Sequence, residues 1–187
     1  MKPAIGLIET ESIARGLTVS DIMVKKAPVD ILFSKTISPG KYIVLISGDV
    51  ASVEEAINAG RSAAKSYLVD FLFIPHLHED VIPAIKGKFK NYTSDALGIV
   101  ETRSVASAIL SLDQALKSAE TSVVQLKLGQ GLGGKGYFVL TGELSQIEAS
   151  ISSAKQAISE EKLLNSEIIA RPHADMTLGT SPLERHL

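Results

Sequence analysis

The chain writes its pattern twice, about ninety residues apart. Ala4-Ile5-Gly6-Leu7-Ile8-Glu9-Thr10 returns as Ala96-Leu97-Gly98-Ile99-Val100-Glu101-Thr102. The register continues through Asp21/Asp113, Lys25/Lys117, Ala27/Ala119 and Lys35/Lys127. After an insertion of about two residues it resumes at Gly40-Lys41 and Gly134-Lys135, and it closes on Pro75-His76 and Pro172-His173. A period this long means two tandem domains rather than a solenoid of short units. The polar stretch Lys86-Gly87-Lys88-Phe89-Lys90-Asn91-Tyr92-Thr93-Ser94 marks the junction, dividing the chain into residues 1–92 and 93–187.

Each half reads strand, helix, strand, strand, helix, strand. A short apolar strand (Ile5 to Ile8; Leu97 to Val100) precedes a helix. Val105, Ala108, Ile109, Leu112, Ala115, Leu116 and Ala119 form one helical face, and Ile13, Gly16, Leu17, Ser20, Met23, Val24 and Ala27 are its weaker counterpart. Two strands follow, Asp30 to Ser34 and Tyr42 to Ser47, repeated as Ser122 to Leu128 and Tyr137 to Thr141. Ser52-Val53-Glu54-Glu55 and Ser145-Gln146-Ile147-Glu148 each read as a capping box opening the second helix. Closing strands around Phe71 to Ile74 and Glu167 to Ala170 lead to the Pro-His pairs. The fold class is α+β, with helices packed on one antiparallel-containing sheet in each half.

Composition excludes several function classes. Nineteen Lys and Arg against twenty-one Asp and Glu leave a net charge of −2, so no basic field exists to hold a phosphate backbone. Aromatic residues are 5% with no Trp, which leaves few platforms for stacked bases. The complete lack of Cys removes disulfides, thiolate nucleophiles, zinc-thiolate sites and Cys-ligated iron–sulfur clusters, and fits a reducing compartment. The apolar runs are strand-sized, shorter than a signal peptide or membrane helix needs, so a soluble cytosolic protein is expected.

Three constellations invite a chemical reading. Gly129-Gln130-Gly131-Leu132-Gly133-Gly134-Lys135 satisfies G-x-G-x-x-G, but a phosphate site needs the glycines to feed a helix. Here they feed Tyr137-Phe138-Val139-Leu140-Thr141, and the segment reads as a hairpin connection. His76 and His78 would share a face if they lay in a strand, as zinc ligands can, yet the second copy keeps only His173. They read as surface or interface histidines, and no metal site is expected. Glu9 and Glu101 recur at strand ends, which favours a packing role over acid–base catalysis. Lys25 and Lys117 each follow an Asp by four residues and suit i,i+4 ion pairs. No nucleophile elbow appears, and no enzymatic activity is expected.

The doubled motifs, Ala-(Ile/Leu)-Gly-(Leu/Ile)-(Ile/Val)-Glu-Thr, Asp-x-x-x-Lys-x-Ala, Gly-Lys and Pro-His, resemble those of bacterial microcompartment shell proteins, over Ala4 to about His173. The unpermuted order is similar to the tandem-domain type, especially that of propanediol-utilisation compartments, through Val29-Asp30-Ile31-Leu32-Phe33-Ser34-Lys35-Thr36-Ile37-Ser38-Pro39-Gly40-Lys41. The resemblance implies a homotrimer shaped like a hexamer, which tiles with other shell proteins in the bacterial cytoplasm and passes small polar metabolites through a central pore. It implies that Thr36, Ile37, Ser38, Pro39 and Gly40, with Gly129, Gln130, Gly131, Leu132, Gly133 and Gly134, line the pore. Lys25, Lys117, Arg171, Pro172 and His173 map onto the edges between trimers. Ile74 stands where the first copy would carry the matching Arg, so the six edges are expected to differ. In the propanediol type a Cys in the first loop holds an iron–sulfur cluster, and Ser38 occupies that position, so no cluster is expected. Neither nucleic acid nor membrane is an expected partner. The other reading is a small-molecule or nucleotide-binding trimer that uses the Gly-rich loop.

Overall fold

The computed structural model describes residues 4–90, 95–173 and 176. The tail Thr180–Leu187, the junction residues Asn91–Ser94 and the division between 92 and 93 lie outside the described residues. Each half is a four-stranded antiparallel sheet with two helices on one face.

The first half runs β1 (Ala4–Thr10), α1 (Ile13–Lys26), β2 (Asp30–Ile37), β3 (Lys41–Gly48), α2 (Val50–Ala64) and β4 (Leu68–Ile74), with strand order β2-β3-β1-β4. After a short helix α3 (Val81–Ile85), the second half repeats the plan. It runs β5 (Ala96–Thr102), α4 (Val105–Ser118), β6 (Ser122–Leu128), β7 (Gly136–Gly142), α5 (Leu144–Gln156) and β8 (Leu163–Ala170), in the order β6-β7-β5-β8. The strand–helix order expected from the repeat is present in both halves. The helix α3 is an addition, too short and too irregular in pattern to stand out from the sequence.

Burial on both faces accounts for the central strands. Every residue of β1 is buried, and its register sets Leu7 opposite Leu45 of β3 and Leu72 of β4. The equivalent β5 sets Ile99 opposite Val139 and Glu167. Gly6 and Gly98 let the second helix of each half approach the sheet: a Cβ there would sit 2.3 Å from Ile57 Cγ1 or 2.8 Å from Ile151 Cδ1.

The helix starts correct one sequence expectation. Neither Ser-x-x-Glu segment forms a capping box: α2 begins at Val50, with Asp49 accepting from Ser52 N at 3.0 Å, and α5 begins at Leu144. Ser52 and Ser145 are helical residues, and Asp49 supplies the stronger acceptor one position before the first helical residue. The caps that do involve Ser lie on the other pair of helices. Ser12 accepts from Arg15 N at 3.3 Å, and Ser104 from Ser107 N at 3.1 Å.

The core continues from one half into the other. The outer face of the first sheet (Ile5, Leu7, Ile43, Leu45, Leu72) joins Val105, Ile109, Leu112 and Leu116 of α4 in one buried cluster. The segment Leu77, Val81 and Ala84 packs into the same cluster, so the link between halves is part of the core. A separate cluster around Ile8, Met23 and Ile57 lies between the first sheet and its own helices. Replacing Ile109 by Ala should therefore loosen both halves together. Denaturant unfolding should remain a single transition shifted by about 2–5 kcal/mol; two separated transitions would show that the halves do not share a core.

Candidate functional site

Two hairpin loops meet at one end of the chain. The first turns at Ser38-Pro39-Gly40 between β2 and β3, with a cis Ser38–Pro39 bond. The second, between β6 and β7, places Gly129, Gly131, Gly133 and Gly134 at positive φ. Residues with a Cβ rarely adopt that backbone, so the loop's path depends on its glycines. Gly131 N donates to Ser38 Oγ at 3.2 Å, although 93 positions separate them. A Cβ on Gly134 would stand 2.9 Å from Ser38 O, so the glycine allows the two backbones to touch. Ile37, Gly129 and Gly134 are buried by this contact, and Ser38 and Leu132 are half-buried. Thr36, Pro39, Gly40, Gln130, Gly131 and Gly133 are exposed. The Gly-rich segment leads directly into β7 rather than a helix, so its amides lack the helix terminus a phosphate site requires.

Beside the loops lies a charged joint between the halves. The side chain of Glu9 has no accessible surface, and Lys41 Nζ reaches its Oε1 at 2.9 Å. Its Oε2 accepts from Val105 N, the first residue of α4, at 2.9 Å. Burial raises the Glu9 pKa above its ordinary value, against the lowering effects of Lys41 and the Val105 amide. Asp70 adds a second link by accepting from Ser107 Oγ at 2.7 Å and from Ser104 Oγ, with Lys162 Nζ at 3.8 Å. The repeat of Glu9, Glu101, pairs with Lys135 at 2.7 Å, but its side chain is 35% exposed. Recurrence in sequence points to Glu9 and Glu101; the Asp70 link has no repeated motif to reveal it, since its counterpart is Asn165.

The two expected edge lysines sit in different surroundings. Lys25 pairs with Asp21 at 2.7 Å and is 72% exposed, whereas Lys117 pairs with Asp113 at 2.5 Å and is 33% exposed. The i,i+4 pairing read from the sequence is present in both. Asp113 is buried and also accepts from His78 N at 2.8 Å, which ties the end of the first half to α4. His76 and His78 lie after β4 in irregular chain, not in a strand, and His78 Nδ1 accepts from Asp80 N at 3.2 Å. Among the described residues no three His, Asp or Glu side chains are grouped to hold a metal. At the end of the second half, Arg171 has φ +49° and its N donates to Asp95 O at 2.8 Å. Arg171 borders an open cavity of about 540 Å³ with Glu143 and Leu144, Pro172 is buried and His173 is exposed.

Comparison with known proteins gives one pattern in both halves. The model of the BMC domain matches residues 4–77 and again 96–172. The chain is 41% identical over 177 residues to the bacterial microcompartment shell protein PduT of Citrobacter freundii, covering 94% of this chain and 96% of that protein. It is 37% identical over 94 residues to the shell protein EutM of Escherichia coli K12, covering 47% of this chain and 97% of EutM. A crystal structure of a microcompartment protein from Desulfitobacterium hafniense superposes with a TM-score of 0.80 at 40% identity, over 92% of this chain and 97% of that one.

The buried joint yields a prediction. Lys41→Ala strands a buried carboxylate and should cost about 3–5 kcal/mol at neutral pH. Without the lysine the folded-state pKa of Glu9 rises further above its unfolded value. The folded state then binds the proton more tightly, and stability falls as pH rises through that window. Denaturation at about pH 5 and about pH 8 should therefore show a smaller deficit relative to wild type in acid. An equal deficit at both would mean that Lys41 does not compensate Glu9.

Proposed function

Because the chain belongs to the BMC domain family of bacterial microcompartment shell proteins, we propose that three copies close into a pseudohexameric ring that tiles into the shell and leaves a pore on its axis. Two domains per copy need three copies to make a ring of six. The observation that carries this reading is the side-by-side placement of the Ser38 loop and the Gly129–Gly134 loop at one end of the chain. Three such pairs around an axis would alternate, giving a three-fold opening because the second loop is longer. The shell in which such a ring sits belongs to the bacterial cytoplasm, and the other partners are shell proteins.

The exposed groups at that end are Thr36, Pro39, Gly40, Gln130 and the glycine amides, with no Asp or Glu between 36 and 40 or between 129 and 134. An opening of that composition favours neutral polar or anionic solutes over cations, through width and hydrogen bonding. An iron–sulfur cluster does not fit the loop: Ser38 offers a hydroxyl that already accepts from Gly131 N, and the chain has no Cys to supply a thiolate. The role is structural rather than enzymatic. A nucleotide site in the Gly-rich loop is disfavoured, since the glycines feed a strand.

Lys25 and Lys117, with Arg171, Pro172 and His173, are the proposed contacts between rings. Their unequal exposure makes two kinds of edge that alternate. The strand register sets Ile74 at the position of Ile169 rather than of Arg171, so Arg171 belongs to a two-residue extension, Ala170-Arg171, that the first half lacks before its Pro-His pair. Replacing Lys25, the exposed one of the two, by Asp should preserve the trimer, three copies of a 19.9 kDa chain or about 60 kDa by light scattering. It should abolish sheets seen by electron microscopy, because exposed charge reversals disturb docking more than folding. Unchanged sheets would remove Lys25 from the edge, and a monomeric wild type would remove the ring.

A further inference from the structure

The two halves share one plan but finish their outer sheet faces differently. In the first half, α4 covers the face, and its Val105, Ile109 and Leu116 are 0%, 0% and 5% exposed. Their repeats on α1, Ile13, Leu17 and Val24, are 39%, 55% and 37% exposed. The outer face of the second sheet holds only a small cluster around Leu97 and Val139, with Ile99 and Ile169 partly buried. The apolar helix face is thus left open, while on the sheet Glu167 is exposed and Ile99, Tyr137 and Ile169 are partly exposed around the buried Leu97 and Val139. Helix face and sheet face are the repeats of two faces that pack together within the chain.

We propose that α1 of a second copy lies on the second sheet as α4 lies on the first, with the Ile13 amide donating to Glu101 across the chains and Arg15 paired with Glu167. This rests on the trimer reading and deepens it by naming the contact. Glu101 corresponds to Glu9 and Ile13 to Val105, so the covered joint reproduces the Glu9–Val105 hydrogen bond. The charged pair is particular to the contact between chains. Glu167 stands at the register position of Leu72, which is 2% exposed beneath α4. Arg15 stands at the position of Ser107, which bonds to Asp70 two residues before Leu72. In the single chain Glu167 is exposed and Arg15 half-buried, with Arg15 lying 5.7 Å over the Tyr67 ring and Glu167 accepting from Asn165 Nδ2 at 3.1 Å. Covering Glu167 without a cation would leave a desolvated carboxylate, and Arg15 is the cation that the repeat register brings to it. The second copy is the occupant because the chain already contains the matching helix and the pattern for its docking. Such a contact is head to tail, so it forms a ring when its rotation closes, as the pseudo-sixfold placement of the two halves requires, rather than pairing two copies symmetrically.

The test uses Arg15→Glu, Glu167→Arg and the two combined, with the trimer-to-monomer midpoint read by light scattering on dilution and folding checked by circular dichroism. Each single variant should move the midpoint by about ten-fold or more, and the reversed pair should recover most of that shift. Since the chain has no Cys, Ser12→Cys with Asn165→Cys gives a second readout at the repeat of the Ser104–Asp70 contact. Mild oxidation of that double variant should give a covalent ladder ending at three chains, with neither single variant cross-linking. A wild-type trimer in which the charge changes add without rescue and the cysteine pair stays reduced would overturn this contact while leaving the trimer intact. Cross-linked dimers from Leu17→Cys alone would overturn it in favour of a symmetric α1–α1 contact. A wild type that is monomeric throughout would overturn the trimer itself.

Discussion

The carboxylate of Glu9 has no contact with solvent, and it is held from two directions by groups from different parts of the fold. Lys41 comes from the neighbouring strand of its own sheet, and the Val105 amide comes from the first turn of a helix in the other half. A buried carboxylate tolerates little displacement of either partner, because losing one exposes the cost of desolvation. The relative placement of the halves follows from this joint together with the apolar cluster beneath it. The loops depend on it as well: Lys41 opens β3 immediately after the Ser38 turn, so anchoring Lys41 fixes the strand that carries the first loop toward the second.

Much of this was legible in the sequence because the chain repeats. The apolar runs around Ile5–Ile8 and Leu97–Val100, the helices after Ser12 and Ser104, and the recurrence of Glu9 as Glu101 all follow from the pattern of residues. The sequence also shows that the glycines after Leu128 feed a strand, which separates a hairpin from a phosphate loop. The Ser-x-x-Glu pattern misplaces the starts of α2 and α5: at α2 Ser52 looks like a cap but Asp49 comes first and accepts the amide, and at α5 no side chain caps the start. Contacts between the halves were not legible. Asp70 has Asn165 as its repeat, and nothing local to either residue announces that Asp70 meets Ser104 and Ser107. The bond between Asp113 and the His78 amide is equally silent in the sequence, since one partner is backbone.

The same repeat explains how one chain serves a structure with two kinds of position. Duplicated domains that stayed identical would give six equivalent edges and six equivalent loops. Here the loops differ in length, Lys25 and Lys117 differ in exposure, and Ala170-Arg171 extend the second half before its Pro-His pair. The joint inside the chain is built on a buried ion pair and hydroxyl contacts, while its counterpart on the open faces carries Arg15 and Glu167. Opposite charges at an exposed contact speed association and discriminate against wrong partners more than they add affinity. Such a division suits a permanent contact within the chain and an assembling one between chains.

The central claim, that the covered face inside the chain is the pattern for the open one, is tested most directly by amide hydrogen exchange followed as a function of protein concentration. At concentrations that favour assembly, the first turn of α1 at Ile13 should exchange about as slowly as the first turn of α4 at Val105. On dilution, α1 and the outer strands of the second sheet should lose protection together while α4 keeps its own. A first turn of α1 that exchanges rapidly at every concentration, in a protein that is nonetheless trimeric, would contradict the account.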